Sequence, residues 1–297
     1  MSKVLTSKVL TNKVLTNKVP RTLSEGVTAD PWSSLKQLTA ARIALSRAGV
    51  SLPTAAHLEF QLAHAEARDA VHAALDAECL AEQIRKRGLG CLIGNSAALD
   101  RAEFLQRPDR GRRLDESTAE ALGQWRQKMD CASFDLTIVI ADGLSARAVR
   151  DHSLPILENL ITLAQEESWS LSPVVIVRQG RVAIGDEIAS RLSARMVVLL
   201  IGERPGLSSP DSLGVYFTYQ PKPGLKDSAR NCISNIRPEG LSYAMASHKL
   251  AGLLRGANER QLSGVQLKDD SDLSAVDSGL ADIGNFLAIP DSDNRDA

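Results

Sequence analysis

Apolar positions along this chain follow two different periods. Between Asp30 and Gly88 the spacing is helical, with Leu58/Leu62, Val71/Leu75 and Leu80/Ile84 as i,i+4 pairs. Thr54 after Pro53 marks a helix start, and Gly88 marks a stop. The stretch is long enough to break into two helices. From residue 135 onward the apolar residues become continuous. LTIVIAD (136–142), SPVVIVRQGR (172–181) and MVVLLIGERPG (196–206) read as strands, and VYFTY (215–219) as a fourth. Helical spacing returns between them. Ser153 and Pro155 open a helix with Ile156, Leu157, Leu160, Ile161 and Ala164 on one face. A short helix is predicted at about 185–193, and a last one at about 242–255 with Leu241, Met245, Leu250, Leu253 and Leu254.

Continuous apolar strands alternating with helices predict a parallel sheet covered on both faces. Parallel crossovers bring every strand's carboxyl end to one edge, and ligands of such sheets bind there, where the strand order switches. Asp142-Gly143, Arg178–Arg181 and Glu203-Arg204 are therefore expected to converge. The chemistry of that edge narrows the ligand. No GxxxxGK[ST] run is present, which disfavours ordinary P-loop triphosphate binding. No GxSxG elbow is present either, which disfavours an α/β-hydrolase. Strand ends with mixed polar groups and glycines suit a large ligand carrying amides, hydroxyls and a phosphate, although simple ion pairing of Arg178, Arg181, Glu203 and Arg204 is the plainer alternative.

Two other polar segments stand out. GLGCLIGNSA (88–97) has its glycines one step wrong for a dinucleotide fingerprint and follows a basic helix, so it reads as a loop. RPDRGRRLD (107–115) reads as a salt-bridged loop or as an anion or partner contact, since guanidinium forks suit both. His57, His64 and His72 lack the carboxylate and i,i+4 spacing of HExxH, and read as surface or packing residues.

Composition adds the two ends of the chain. Its 297 residues, 43% hydrophobic and 24% charged, are ordinary for a soluble protein of about two domains. A net charge of -1 excludes a surface built wholly for nucleic acid or anionic lipid. The charge is uneven, however. Lys3, Lys8, Lys13, Lys18 and Arg21 precede the first acid, Glu25, and after Lys268 the charged residues are all Asp except Arg295. Residues 2–19 repeat a five-residue unit, SKVLT or NKVLT, whose period matches neither helix nor strand. A disordered arm is expected, with a docking or packaging peptide as the alternative. Cys79, Cys91, Cys131 and Cys232 form no CxxC pair, so no zinc cluster or redox dithiol is expected. With no membrane span and no secretion signal, a cytoplasmic protein with reduced thiols is expected.

IADGLS (140–145), VRQGRVAIGDEI (177–188), VVLLIGERPGL (197–207) and CISNI (232–236) together resemble the small subunit of ethanolamine ammonia-lyase. TAARIALSRAG (39–49), HAEARDAV (64–71) and FLQRPDRGRRLD (104–115) do so as well. The resemblance runs from about Asp30 to Ala257. It implies an α/β fold: a Rossmann-like, doubly wound, mostly parallel sheet with a helical N-terminal region. It also implies an adenosylcobalamin enzyme made with a large subunit that holds ethanolamine, releasing acetaldehyde and ammonia by radical chemistry that belongs to the cofactor. The family's cobalamin contacts fall on Val182, Glu203 and Cys232, with Arg181 and Arg204 added as candidate phosphate or carboxamide partners. No catalytic residue and no metal ligand are expected on this chain. The D-x-H-x-x-G motif of base-off cobalamin proteins is absent, since Asp151 and His152 are adjacent.

These readings divide the chain into a pentapeptide arm (1–25), a helical N-terminal region with connecting loops (26–130), a Rossmann-like cobalamin-binding domain (131–258) and an acidic flexible tail (259–297). The alternative function is a non-catalytic Rossmann-like module that holds a nucleotide or cobalamin and scaffolds a partner. A bacterial microcompartment could enclose the complex in either case. Residues 220–229 and Ser46 depart from the family's usual pattern without touching the three cofactor positions.

Overall fold

The computed structural model describes residues 30–39, 41–129 and 133–269. The pentapeptide arm, Cys131 and the acidic tail from residue 270 lie outside the described residues. The chain divides into two compact units that meet at Ala56/His57. In the first, the described residues hold a 3-10 turn at Ser33–Gln37 and a tight bridge between Ala48 and Ser51.

The second unit is built on a mixed six-stranded sheet. Its strands are β1 (Cys91–Asn95), β2 (Phe134–Ala141), β3 (Val174–Arg178), β4 (Ala194–Gly202), β5 (Leu213–Tyr219) and β6 (Asn231–Ile236). Their order is β1-β3-β2-β4-β5-β6. The first four are mutually parallel, with β2 and β4 paired from Phe134/Ala194 to Ala141/Ile201. β5 runs antiparallel to β4, and β6 antiparallel to β5. The VYFTY segment is thus a strand, as predicted, but not a further parallel one. A second difference concerns residues 88–97, which contribute the edge strand β1 where a loop was expected. Its five residues are too few and too glycine-flanked to show a period, and only the pairing with β3 makes a strand of them.

Helices α1 (Thr54–His72), α2 (Ala77–Arg85), α3 (Arg101–Gln106), α4 (Glu116–Gln127), α5 (Ala146–Glu166), α6 (Ile184–Arg191) and α7 (Tyr243–Arg260) complete the element order. Thr54 and the break before α2 agree with the sequence pattern, and Asp76 caps α2 by accepting from the Cys79 amide. α5 starts earlier than predicted. Ser145, not Ser153, is the cap, and Pro155 lies inside the helix. An interior proline costs about 3 kcal/mol. Complete burial of its neighbours Ile156 and Leu157, at roughly 1.5–3 kcal/mol each, offsets it.

Alternation along the central strands separates two cores. Leu136, Ile138 and Ile140 of β2 pack with Ile176, Val198 and Leu200 against α2, α5 and α7. Val139 and Ala141 pack with Val175, Val197 and Leu199 against α4 and α6 on the opposite face. Both faces of the parallel strands are therefore covered, which is why these strands read as continuous apolar runs. No helix among the described residues is long and apolar enough to cross a membrane.

Candidate functional site

The carboxyl ends of β2 and β4 leave the sheet side by side, and two glycines allow it. Gly143 has φ +55°, and a Cβ there would lie 2.3 Å from the Gly202 carbonyl oxygen. A Cβ on Gly202 would lie 2.0 Å from the Ser145 carbonyl oxygen. The Leu144 amide donates to the Gly202 carbonyl at 2.9 Å, tying the two ends together. β3 ends on one side of this junction, and its Gly180 amide donates to Asp142 Oδ1 at 3.2 Å. The Arg181 amide donates to the Gly111 carbonyl at 2.7 Å, which brings the 107–115 segment to the same edge.

A cavity of about 420 Å³ opens at the junction, lined by Gly143 and Leu144 after β2, Arg181 and Val182 after β3, Glu203 and Arg204 after β4, and Tyr216 and Ser234 of β5 and β6. Four of the five sequence-predicted residues, Arg181, Val182, Glu203 and Arg204, thus share one cavity although they come from two separate loops. Arg178 does not join them; its guanidinium pairs with Glu78 of α2 at 2.5 Å. Cys232 is not among the lining residues; it stands directly across from Tyr216, which is one of them, in the β5–β6 register.

Glu203 is fixed by its neighbours. Its carboxylate accepts from Ser212 Oγ at 2.5 Å, from Ser234 Oγ, and from the Asn235 amide at 3.1 Å. Ser234 and Asn235 belong to the CISNI run, so that motif holds the orientation of a carboxylate presented some thirty positions earlier. Beside it, Tyr216 and Cys232 are hydrogen-bonded through their side chains. Cys232 is exposed at its surface, but partial shielding by the neighbouring strand pushes its thiol up, the Tyr216 hydrogen bond opposes this, and the charge of Glu203 adds to the rise. The Tyr216 hydroxyl is likewise pushed up, first by burial and then by Cys232.

Behind the cavity lies a group that sequence patterns alone do not mark. Arg101 of α3 donates to the Val71 carbonyl at 2.6 Å and the Gly143 carbonyl at 2.8 Å, and stands 3.6 Å from Asp142. Phe104 lies under two guanidiniums, with Arg101 4.6 Å and Arg181 4.1 Å from its ring centroid. Asp142 is 5% exposed. Burial pushes its carboxyl up, opposed by Arg101 and by the amides around it. Only the LTIVIAD strand end pointed to Asp142; nothing in the spacing of α3 pointed to Arg101.

The arrangement suits binding rather than acid–base catalysis. Both carboxylates at the edge are occupied by protein donors, and neither faces a histidine. Among the described residues no group of three or more His, Cys, Asp or Glu side chains is placed to hold a metal ion. What the edge offers is a glycine-lined junction, fixed carboxylate oxygens, guanidinium donors and a half-buried tyrosine on the sheet face.

Comparison with known proteins places the whole chain in context. A family model described as "Ethanolamine ammonia-lyase light chain (EutC)" matches residues 29–268. A protein of Azotobacter vinelandii named ethanolamine ammonia-lyase small subunit is 58% identical over 260 residues, covering 88% of this chain and 96% of that protein. A protein of the same name from Pseudomonas aeruginosa (strain LESB58) is 56% identical over 269 residues, covering 91% and 98%. Another from Pseudomonas putida (strain W619) is 57% identical over 260 residues, covering 87% and 95%.

Proposed function

The chain belongs to the ethanolamine ammonia-lyase light-chain family and is the small subunit of that two-subunit lyase; from this premise we propose that its sheet-edge cavity binds adenosylcobalamin. The reading treats the sheet as Rossmann-like and doubly wound across β1, β3, β2 and β4, with β5 and β6 as an antiparallel extension. It keeps residues 131–258 as the segment that carries the cofactor residues, to which 26–130 adds α1 to α4 and the edge strand β1, with 1–25 as an arm and the acidic residues toward 297 as a tail that begins after the packed Leu267. The large subunit is the partner and holds ethanolamine. The complex is cytoplasmic, with enclosure in a bacterial microcompartment as a further part of the proposal.

The residues present fit the group. A corrin ring carries amide side chains that both donate and accept. Glu203 offers acceptor oxygens, already oriented by Ser212, Ser234 and Asn235. Arg181 and Arg204 offer donors for carboxamide or phosphate oxygens. Val182 offers apolar contact at the start of α6, and Tyr216 with Cys232 a sheet face onto which a flat ligand can pack. Gly143 and Gly202 keep side chains out of the junction. When bound, adenosylcobalamin supplies the radical by homolysis of its cobalt–carbon bond, and ethanolamine is converted to acetaldehyde and ammonia. This chain's part is to bind and orient the cofactor.

The observation that carries the reading is the meeting of Arg181, Val182, Glu203 and Arg204 in one cavity at the carboxyl edge. The test is cofactor affinity in the complex co-expressed with a large subunit. Glu203→Ala is expected to weaken adenosylcobalamin binding about tenfold, the value of one charge-assisted hydrogen bond. Glu203→Gln, which retains one carbonyl acceptor, is expected to lose less. Unchanged affinity in both variants removes Glu203 from the site.

A further inference from the structure

The arginines around the cavity form a charge pattern that a binding site for neutral amides does not need. We propose that Arg112, Arg181 and Arg204 form a phosphate-binding rim around the N-terminus of α6, and that it holds the phosphodiester of the cofactor's nucleotide tail. This rests on the cobalamin reading above and adds to it a residue, Arg112, and a chemical role.

Arg181 is the link between the other two, since the charges of both Arg112 and Arg204 act on it. Arg181 donates its amide to Gly111, and a Cβ on Gly111 would lie 2.7 Å from Arg181 Cγ, so the chain passes directly beside Arg181 before reaching Arg112. Arg204 lines the same cavity as Arg181. Arg112 lines the adjoining cavity of about 900 Å³ together with Ala183, the residue that caps α6. Val182 and Ala183 therefore carry the helix start from one cavity to the other, and no side chain caps it. An uncapped helix N-terminus favours an anion.

The nearby carboxylates are already engaged. Glu203 is taken by Ser212, Ser234 and Asn235. Asp142 pairs with Arg101, Asp109 with Arg107, Glu103 with Arg110, Glu187 with Arg191 and Asp227 with Arg230. Among the described residues, Arg112, Arg181 and Arg204 have no carboxylate within ion-pair distance. Repulsion is felt at Arg181: burial first, then Arg101, Arg112 and Arg204, lowers its pKa, and Asp142 opposes them only in part. Like charges in excess over the carboxylates beside them are relieved by an oxyanion, and guanidinium forks match phosphate oxygens in pairs.

Cobinamide, which keeps the corrin but lacks the nucleotide and its phosphodiester, isolates the rim's contribution. In the co-expressed complex, Arg112→Gln and Arg204→Gln are each expected to weaken adenosylcobalamin binding about tenfold. The same variants are expected to leave adenosylcobinamide binding within about twofold. Inorganic phosphate is expected to compete with neither ligand in the double variant, and in the parent to promote adenosylcobinamide binding while competing with adenosylcobalamin. Arg112 is exposed, and its side chain holds no hydrogen bond among the described residues, so its variant separates binding from folding. Equal losses for both ligands, or none for adenosylcobalamin, overturn the rim. Glu203→Ala provides the separate control: loss of both ligands' affinity there with no arginine effect refutes only the phosphate assignment, whereas no loss in any of the Glu203 and arginine variants refutes the cobalamin site itself.

Discussion

Asp142 shows how far a single residue at the edge depends on its surroundings. Its carboxyl is buried beneath the cavity, and burial outweighs Arg101 and the Gln179, Gly180 and Gly143 amides, so its pKa is raised. A carboxyl with a raised folded-state pKa stabilises the fold most below its unfolded value of 3.8, and that contribution disappears as pH rises through the folded pKa. An asparagine at this position does not titrate. The stability of Asp142→Asn relative to the parent is therefore expected to improve steadily as pH rises from about 3 through the folded pKa, and then to level off. Its constant offset depends on what the lost charge does to Arg101. Urea unfolding across that range measures the slope; parallel pH profiles, or a slope of the opposite sign, would show that Asp142 is not held against ionisation. The strand pattern could find Asp142 because it ends an apolar run. Arg101 was illegible because its partners, Val71, Asp142 and Gly143, are brought to it by tertiary packing and leave no local periodicity.

Among elements, α6, which Val182 precedes by two residues, and β6, which carries Cys232, are joined by a buried ion pair. Asp186 of α6 and Arg230, just before β6, are each 2% exposed at the side chain. Arg230 also donates to the Leu225 carbonyl at 3.1 Å and pairs with Asp227 at 2.8 Å, fixing the 220–230 loop. Burial raises the Asp186 carboxyl despite Arg230, so the pair sits where desolvation is severe. Removing one partner leaves an uncompensated buried charge. Arg230→Met is expected to cost about 3–5 kcal/mol of stability, and Asp186→Leu/Arg230→Met much less. Denaturant unfolding of the single and double variants decides it; a double variant as unstable as the single would mean that packing, not charge, joins the two elements. Strand direction shows what the sequence conceals at this scale. β2 to β4 were legible because burial on both faces leaves continuous apolar runs. The antiparallel course of β5 was not marked by its own residues. The available signal was the connection: residues 203–212 contain no helical pattern, and a parallel crossover needs a dozen or more residues, usually a helix. The same argument applies to β1, whose short run became interpretable only beside β3.

At the scale of the whole molecule, the family match covers residues 29–268, and every buried core residue among the described ones also lies there, from Ala63 to Leu267. Residues before that span contain the pentapeptide repeat with Lys3, Lys8, Lys13 and Lys18, a period that offers neither a helix face nor a strand face to bury. The sheet-edge residues, the Asp186–Arg230 pair and the two core clusters are all supplied by residues 75–267. Removing residues 2–28 while retaining Met1 is therefore expected to leave the co-expressed complex assembled, with turnover of ethanolamine within about twofold. The thermal midpoint is expected to change by no more than about 2 °C, the scale of a surface change. Ammonia release with adenosylcobalamin present and absent, together with co-purification of the two subunits, measures the effect. Loss of co-purification would make the repeat an assembly element. A tenfold fall in turnover by an intact complex would instead bring it to the cofactor or to the large subunit's active site, and would reject the separation of arm from catalytic body.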